Sequence, residues 1–193
     1  MYKHAQWIKK TIEELNGIQK IAEIGVFKGY LVKQMLKYCS SNISEYWAID
    51  PWVQYKYSQA QKDSGYCWPG RNRNLPGKWE KRYLYVSKLM RYFPKLHVVR
   101  ATSVVAAKLF PEGYFGLVFI DGDHSYEGVR DDINAWLPLV KDGGVLCGHD
   151  YGNIGGRGVK KAVDELLGDQ VEIFPWTTEE DDGLAIMWAH RKC

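Results

Sequence analysis

The sequence predicts a single doubly wound α/β domain, and three observations carry that prediction. Short apolar runs of strand length alternate with amphipathic stretches of helical period. Several of the runs stop at Gly, Asp or His, residue types suited to the ligand-binding carboxyl edge of a parallel sheet. The chain has 193 residues, 46% hydrophobic and 25% charged, which suffices for one core but not two. No repeat or linker divides it, so residues 1–193 read as one domain. The expected fold is a Rossmann-like, seven-stranded sheet, mostly parallel with an antiparallel last strand.

The elements follow in order. Trp7, Ile8, Ile12 and Leu15 recur at helical spacing over 4–16, and Asn16-Gly17 ends that helix. A first strand, Ile21 to Val26, runs into Gly25 and Gly29; a helix at 29–39 follows, with Leu31, Val32, Met35 and Leu36 on one face. Tyr46-Trp47-Ala48-Ile49 is a second strand closing on Asp50. Residues 51–77 break the pattern and read as a lid insertion rich in aromatics: Trp52, Tyr55, Tyr57, Tyr66, Trp68 and Trp79 at its end, with Arg71 and Arg73 between. A helix at 79–93, a strand at 96–99 and a helix at 103–110 precede the strand Leu117 to Ile120, which stops at Asp121. A helix over 126–140 leads to the strand Gly144 to Cys147, running to His149-Asp150. A helix at 158–167 and two strands, 171–174 and 184–188, complete the chain. The acidic loop 176–183 joins that last pair, which reads as antiparallel.

Composition excludes several classes. No run approaches the ~20 apolar residues of a membrane span, and the N-terminus lacks the apolar region of a secretory signal. Cys39, Cys67, Cys147 and Cys193 show no metal spacing, so reduced thiols and a cytoplasmic setting are expected. Residues 51–100 carry a net +9 and the remainder −6. Without an Arg-rich run this favours a solvated basic surface over a nucleic-acid partner. A homo-oligomer is compatible with the composition.

Glycines at 25 and 29 let the backbone approach a ligand, and Asp50 lies where a carboxylate accepts ribose hydroxyls. The spacing is G-x-x-x-G rather than G-x-G-x-x-G, and Glu23 sets an acid where a dinucleotide's pyrophosphate would lie. An acid there suits an ammonium group instead. With these residues the chain resembles the class I S-adenosylmethionine-dependent methyltransferases over residues 20–190. The resemblance implies S-adenosylmethionine as cofactor. It sets Glu23, Gly25, Phe27 and Gly29 near the methionine end, Asp50 on the ribose, Ser103 at the adenine and Asp121 beside the cofactor.

The most informative block is Phe119-Ile120-Asp121-Gly122-Asp123-His124-Ser125, with Cys147-Gly148-His149-Asp150. Strands ~4.8 Å apart bring Asp121 and Asp150 together, and a divalent cation such as Mg2+ would relieve their repulsion. The block resembles the sugar and catechol-type O-methyltransferases, which implies metal positions at Asp121, His149 and Asp150. His149 departs from the usual acid there and leans toward Mn2+ or Zn2+, or toward a role in proton transfer without metal. Three residues after Asp121, His124 falls where the catechol-type enzymes place their base. His124, Asp121 and His149 are therefore the candidate catalytic groups, while Asp123 could simply begin the next helix. His4, His97 and His190 read as structural.

The expected activity is methyl transfer to a hydroxyl of a sugar or glycan, with a phenolic small molecule next. RNA 2′-O-methylation is a further alternative, in which Lys9 or Lys10, Asp121, Lys160 or Lys161, and Glu172 would form a Lys-Asp-Lys-Glu set. A cofactor-binding domain without catalysis is the non-enzyme alternative.

Overall fold

The computed structural model describes residues 3–53, 77–152, 157–176 and 185–193. Its elements are α1 (Lys3–Glu14), β1 (Gln19–Ile24), α2 (Tyr30–Tyr38), β2 (Ile43–Ile49), α3 (Lys78–Leu89), β3 (Leu96–Val99), α4 (Ser103–Ala107), β4 (Phe115–Ile120), α5 (Tyr126–Trp136), β5 (Val140–Gly148), α6 (Arg157–Leu167), β6 (Val171–Trp176) and β7 (Ala185–Arg191). Seven strands form one sheet in the order β3-β2-β1-β4-β5-β7-β6. Strands β1 to β5 pair in parallel, and β7 runs antiparallel between β5 and β6. This is the expected mixed sheet with its last strand reversed.

Two apolar layers cover the faces. Ala5, Ile8 and Ile12 of α1, with Leu31, Val32 and Met35 of α2 and Val86 of α3, pack on Ile21, Leu117, Phe119 and Cys147. On the other face Ala106 of α4, Val129, Ile133 and Trp136 of α5, and Val159, Ala162 and Val163 of α6 pack on Ala22, Ile24, Val118 and Ile120. All six residues of β4 are buried, as a continuous apolar run in a doubly covered sheet requires. Burying a side chain of Trp136's or Phe115's size contributes roughly 1.5–3 kcal/mol.

Boundaries differ from the sequence reading where local chemistry intervenes. The helix expected to 140 ends at Trp136, and a 3-10 turn over Leu137–Leu139 holds Pro138. Proline lacks the N–H that helix continuation needs. Strand β5 starts at Val140 rather than 144, and α4 stops at Ala107. Of the proposed lid, Trp52 and Trp79 lie within the described residues. Tyr55, Tyr57, Tyr66, Trp68, Arg71 and Arg73 lie outside them, as do Cys67 and Leu184.

Candidate active site

Strand order reverses between β1 and β4, since the chain builds outward from β1 through β2 to β3 and then returns to the other side. Register aligns the strand tips. Ile24 pairs with Ile49 and Ile120, and Ile120 with Gly148. The next residue on each strand is therefore Asp50, Gly25, Asp121 or His149, in one row at the carboxyl edge. Backbone bonds continue the ladder through that row: Gly25 N donates to Ile49 O, Asp121 N to Ile24 O and His149 N to Ile120 O.

Gly25 (φ 91°) shows why that row is so close-set: a Cβ built there would lie 2.1 Å from the Asp121 carbonyl oxygen. Its missing side chain serves the approach of two strand tips, and Gly25 also lines the neighbouring cleft. Gly29 (φ 69°) precedes α2 and leaves room for Val86 of α3. Asp50 organises the loop between them. Its Oδ2 accepts from Phe27 N at 2.8 Å and its Oδ1 from Trp52 N at 2.5 Å, while Trp52 Nε1 donates to Phe27 O at 3.0 Å. Burial pushes the Asp50 carboxyl up, despite those two N–H donors and the charge of Arg82. Phe27 (φ 52°), Trp52 (φ 44°) and Asp150 (φ 63°) are the non-glycine residues with positive φ among those described. All three sit at this edge, and such strain gathers where function over-determines the backbone.

Beside this loop a cleft of about 200 Å³ opens at the reversal point, lined by Ile24, Gly25, Ile49, Ser103, Gly122 and Asp132 among others. Asp123, Asp131 and Asp132 belong to the lining, and among the described residues no Lys or Arg does. Acids of this kind repel a pyrophosphate and favour a cationic ligand without phosphate. Ser103 Oγ accepts from Trp136 Nε1 at 2.7 Å. Burial pushes Asp132 up to about 7 against its hydrogen bond with Ser103, and Asp123 and Asp131 add to the rise. Asp132 was not singled out from sequence, although an acid among Val129, Ile133 and Trp136 on the buried face of α5 was a readable signal. Glu23 is 3% exposed. It accepts from Tyr46 Oη at 2.5 Å, and burial pushes it up to about 8, aided by the charges of Asp121 and Asp50. The structure sets this carboxyl beneath the row, against Tyr46, rather than on the surface of the cleft.

Across the row from Gly25, an acid–imidazole cluster forms. His124 Nε2 lies 3.2 Å from Asp121 Oδ1, and its Nδ1 lies 3.3 Å from Asp150 Oδ2. One donor atom each from Asp121, His124 and Asp150 lies within 4.8 Å of the other two. His149 does not belong to that trio: its Nδ1 is 3.5 Å from Asp150 Oδ2, and its ring meets His4 edge-on at 5.5 Å. Of the two imidazoles expected at this edge, His124 is the one whose ring nitrogens lie near both Asp121 and Asp150, and His149 the one that lies beside Asp150. His4, read as structural, borders the site. Burial works to depress the His124 imidazole, but the hydrogen bond and charge of Asp121, with Asp150 and Asp123, push it up to about 9. His149 is raised in the same way, burial being overcome by Asp150 and Asp121.

The turn carrying His124 is held from both sides. Ser125 caps α5 by accepting from Gly128 N at 3.1 Å, and Asp123 Oδ1 accepts from Ser125 N. So Asp123 ties the turn, and Ser125 rather than Asp123 caps the helix. Gly158 of α6 abuts it so closely that a Cβ would lie 2.5 Å from Tyr126 N and 2.6 Å from His124 O. Elsewhere, a hollow of about 510 Å³ lies between α1 and the outer strands, lined by Lys10 and Glu172 among others. Lys160 sits in α6 on the opposite face and pairs with Asp164 at 2.6 Å. Of the Lys-Asp-Lys-Glu set considered from sequence, Lys10 and Glu172 thus share this hollow, and Lys160 does not line it.

Comparison with known proteins agrees with this architecture. A family model described as a methyltransferase domain matches residues 22–151. No curated protein sequence matches the chain. Among solved structures, an S-adenosylmethionine-dependent O-methyltransferase from Thermotoga maritima is similar at a TM-score of 0.60 and 15% identity, covering 99% of this chain and 65% of that one. An rRNA methylase from Streptococcus thermophilus gives 0.64 and 10%, covering 100% and 98%. A Streptococcus mutans protein in complex with S-adenosylhomocysteine gives 0.63 and 11%, covering 98% and 99%. At these identities the likeness is one of fold.

Proposed function

The chain belongs to the methyltransferase-domain family, and from that premise we propose that it is an S-adenosylmethionine-dependent O-methyltransferase acting on a sugar or glycan hydroxyl, assisted by a divalent cation. The observation that carries this reading is the cluster of Asp121, His124 and Asp150 beside an acid-lined cleft at the strand-reversal point.

The residues fit both groups. The cleft's acids suit a sulfonium and an ammonium, and S-adenosylmethionine supplies the electrophilic methyl. Each Asp50 oxygen accepts one backbone N–H and keeps lone-pair capacity for a ribose hydroxyl. Ser103 and Asp132 border the space for the adenine. Two carboxylates and an imidazole would hold Mn2+ as readily as Mg2+, and the cation would polarise the acceptor hydroxyl and lower its pKa. Asp121 and Asp150 orient that hydroxyl toward the methyl, and the strained turns at Phe27, Trp52 and Asp150 hold the groups in place.

Proton removal needs a neutral imidazole. A cation held by Asp121 and Asp150 would offset their pull on His124 and weaken the hold of that imidazole on its proton. Without one, His124 stays protonated until about pH 9 and cannot accept a proton at neutral pH. His149, outside the trio and 3.5 Å from Asp150, is raised by the same carboxylates, so a cation that offset their charge would also ready His149 to take the acceptor proton.

Methyl transfer from labelled S-adenosylmethionine to sugars, phenols and RNA, with and without chelator, tests the reading. Turnover on sugars that chelator abolishes and Mn2+ or Mg2+ restores is expected. His124→Ala should abolish Mn2+ binding by calorimetry, whereas His149→Ala should keep the binding and lower kcat by roughly 10²–10⁴. Full turnover in chelator would refute the metal, and turnover confined to phenols or RNA would replace the acceptor.

A further inference from the structure

A second cleft, of about 340 Å³, lies on the outer side of the loop that precedes α2. It is lined by Lys28, Tyr30, Lys78, Lys81, Arg82 and Tyr85. Among the described residues that line it, four of six are cationic and none is acidic. Lys28 and Lys81 are exposed and have no carboxylate partner among the described residues. The only acid in α2 or α3 is Glu80, which Arg100 engages at 2.7 Å. Farther along the same surface, Lys33 Nζ donates to Tyr85 Oη at 3.1 Å and joins the two helices.

We propose that this cleft binds a phosphate or diphosphate group carried by the acceptor. The proposal rests on the sugar-methylating reading above and specifies its substrate class as a phosphorylated or nucleotide-activated sugar. Three features point there. The exposed Lys28 and Lys81, beside Lys78 and Arg82 in the same lining, favour an anion that carries more than one charge, and lysine serves phosphate as a point charge. The cleft shares no residue with the acid-lined cleft, so the two divide the ligands by sign: a cationic cofactor on one side, an anionic group on the other. Finally, the distance suits one molecule. Lys28 is three residues from Gly25, hence within ~11 Å of it, and Gly25 abuts the Asp121 backbone. A sugar at the acid–imidazole cluster and its phosphates at Lys28 span that interval.

Arg82 ties the cleft to the site. Its guanidinium stacks 3.9 Å from the Phe27 ring centroid and 4.5 Å from that of Trp79, and its charge reaches Asp50. An anion on the lysines therefore bears on the same loop whose Phe27 N–H the Asp50 carboxylate holds.

The test is calorimetric titration of inorganic pyrophosphate into the full chain saturated with S-adenosylhomocysteine, with chelator present so that no cation carries the anion. Saturable binding is expected. Lys28→Gln with Lys81→Gln should weaken it about tenfold or more while S-adenosylhomocysteine affinity stays unchanged. Absence of binding, or equal binding by the double variant, would overturn the proposal. Loss of S-adenosylhomocysteine affinity in the double variant would give the cleft to the cofactor. A single-stranded RNA oligonucleotide that binds and resists competition by pyrophosphate would make the surface a nucleic-acid one. Failure of the wild type to bind S-adenosylhomocysteine would instead count against the methyltransferase reading and leave the pyrophosphate result standing.

Discussion

Gly25 and Asp50 show how single residues set this site. An alanine at 25 would drive its Cβ into the Asp121 carbonyl and occupy a positive φ that side chains disfavour. Gly25→Ala should cost roughly 2–4 kcal/mol in a urea titration, combining overpacking with backbone strain. An unchanged midpoint would mean that the strand tips separate freely. Asp50→Asn keeps the shape but turns an amide donor toward one of two backbone N–H groups. S-adenosylhomocysteine affinity should fall by about 10- to 100-fold, the range for a lost hydrogen bond to a charged group, with the melting profile still cooperative. Both residues were visible in sequence as a glycine and an acid at strand ends. That Gly25 faces another strand, and that Asp50 grips the loop, required the register of β1 against β2 and β4.

At the scale of elements, the site depends on α6, which contributes no donor atom to the trio. Gly158 lets the start of α6 lie against the turn from Asp121 to Ser125. Gly158→Ala should push that helix away, cost about 1–3 kcal/mol and weaken Mn2+ binding, because His124 would lose its position between Asp121 and Asp150. S-adenosylhomocysteine binding should change less, since β1, β2 and the loop between Gly25 and Gly29 are untouched. Equal losses of both ligands would show general unfolding rather than displacement of one turn. The helices and strands themselves were legible because their apolar periods match the layers they bury in, as with Ile8 and Ile12 on α1. Ends were less so: α5 stops at Trp136 because of Pro138, while its apolar pattern continues through Leu139 and Val140.

Across the whole molecule, several buried or half-buried groups bind a proton more tightly when folded, Glu23, Asp132 and His124 among them. Glu23 rises from 4.5 to about 8, Asp132 from 3.8 to about 7 and His124 from 6.5 to about 9. In each case the native state holds a proton that the unfolded chain releases, so stability is full below the unfolded value and is lost as pH rises through the folded one. Each group contributes a slope of at most about 1.4 kcal/mol per pH unit within its window. These three groups should therefore pull the melting temperature of the metal-free protein down between about pH 4 and pH 9, and Glu23→Gln should flatten that fall between about pH 4.5 and pH 8. A melting temperature that rises over this range would contradict the assignment. What the sequence alone determined is the class of fold, the order of its elements and the acids and glycines at the carboxyl edge, because periodicity and strand-end chemistry are local properties. The tertiary structure alone decided which imidazole joins Asp121 and Asp150, that Glu23 meets Tyr46, and that Asp132 borders the acid-lined cleft. Those outcomes depend on strand register, on the positive φ of Asp150 and on the packing of α5 and α6 against the sheet, which no stretch of sequence encodes by itself.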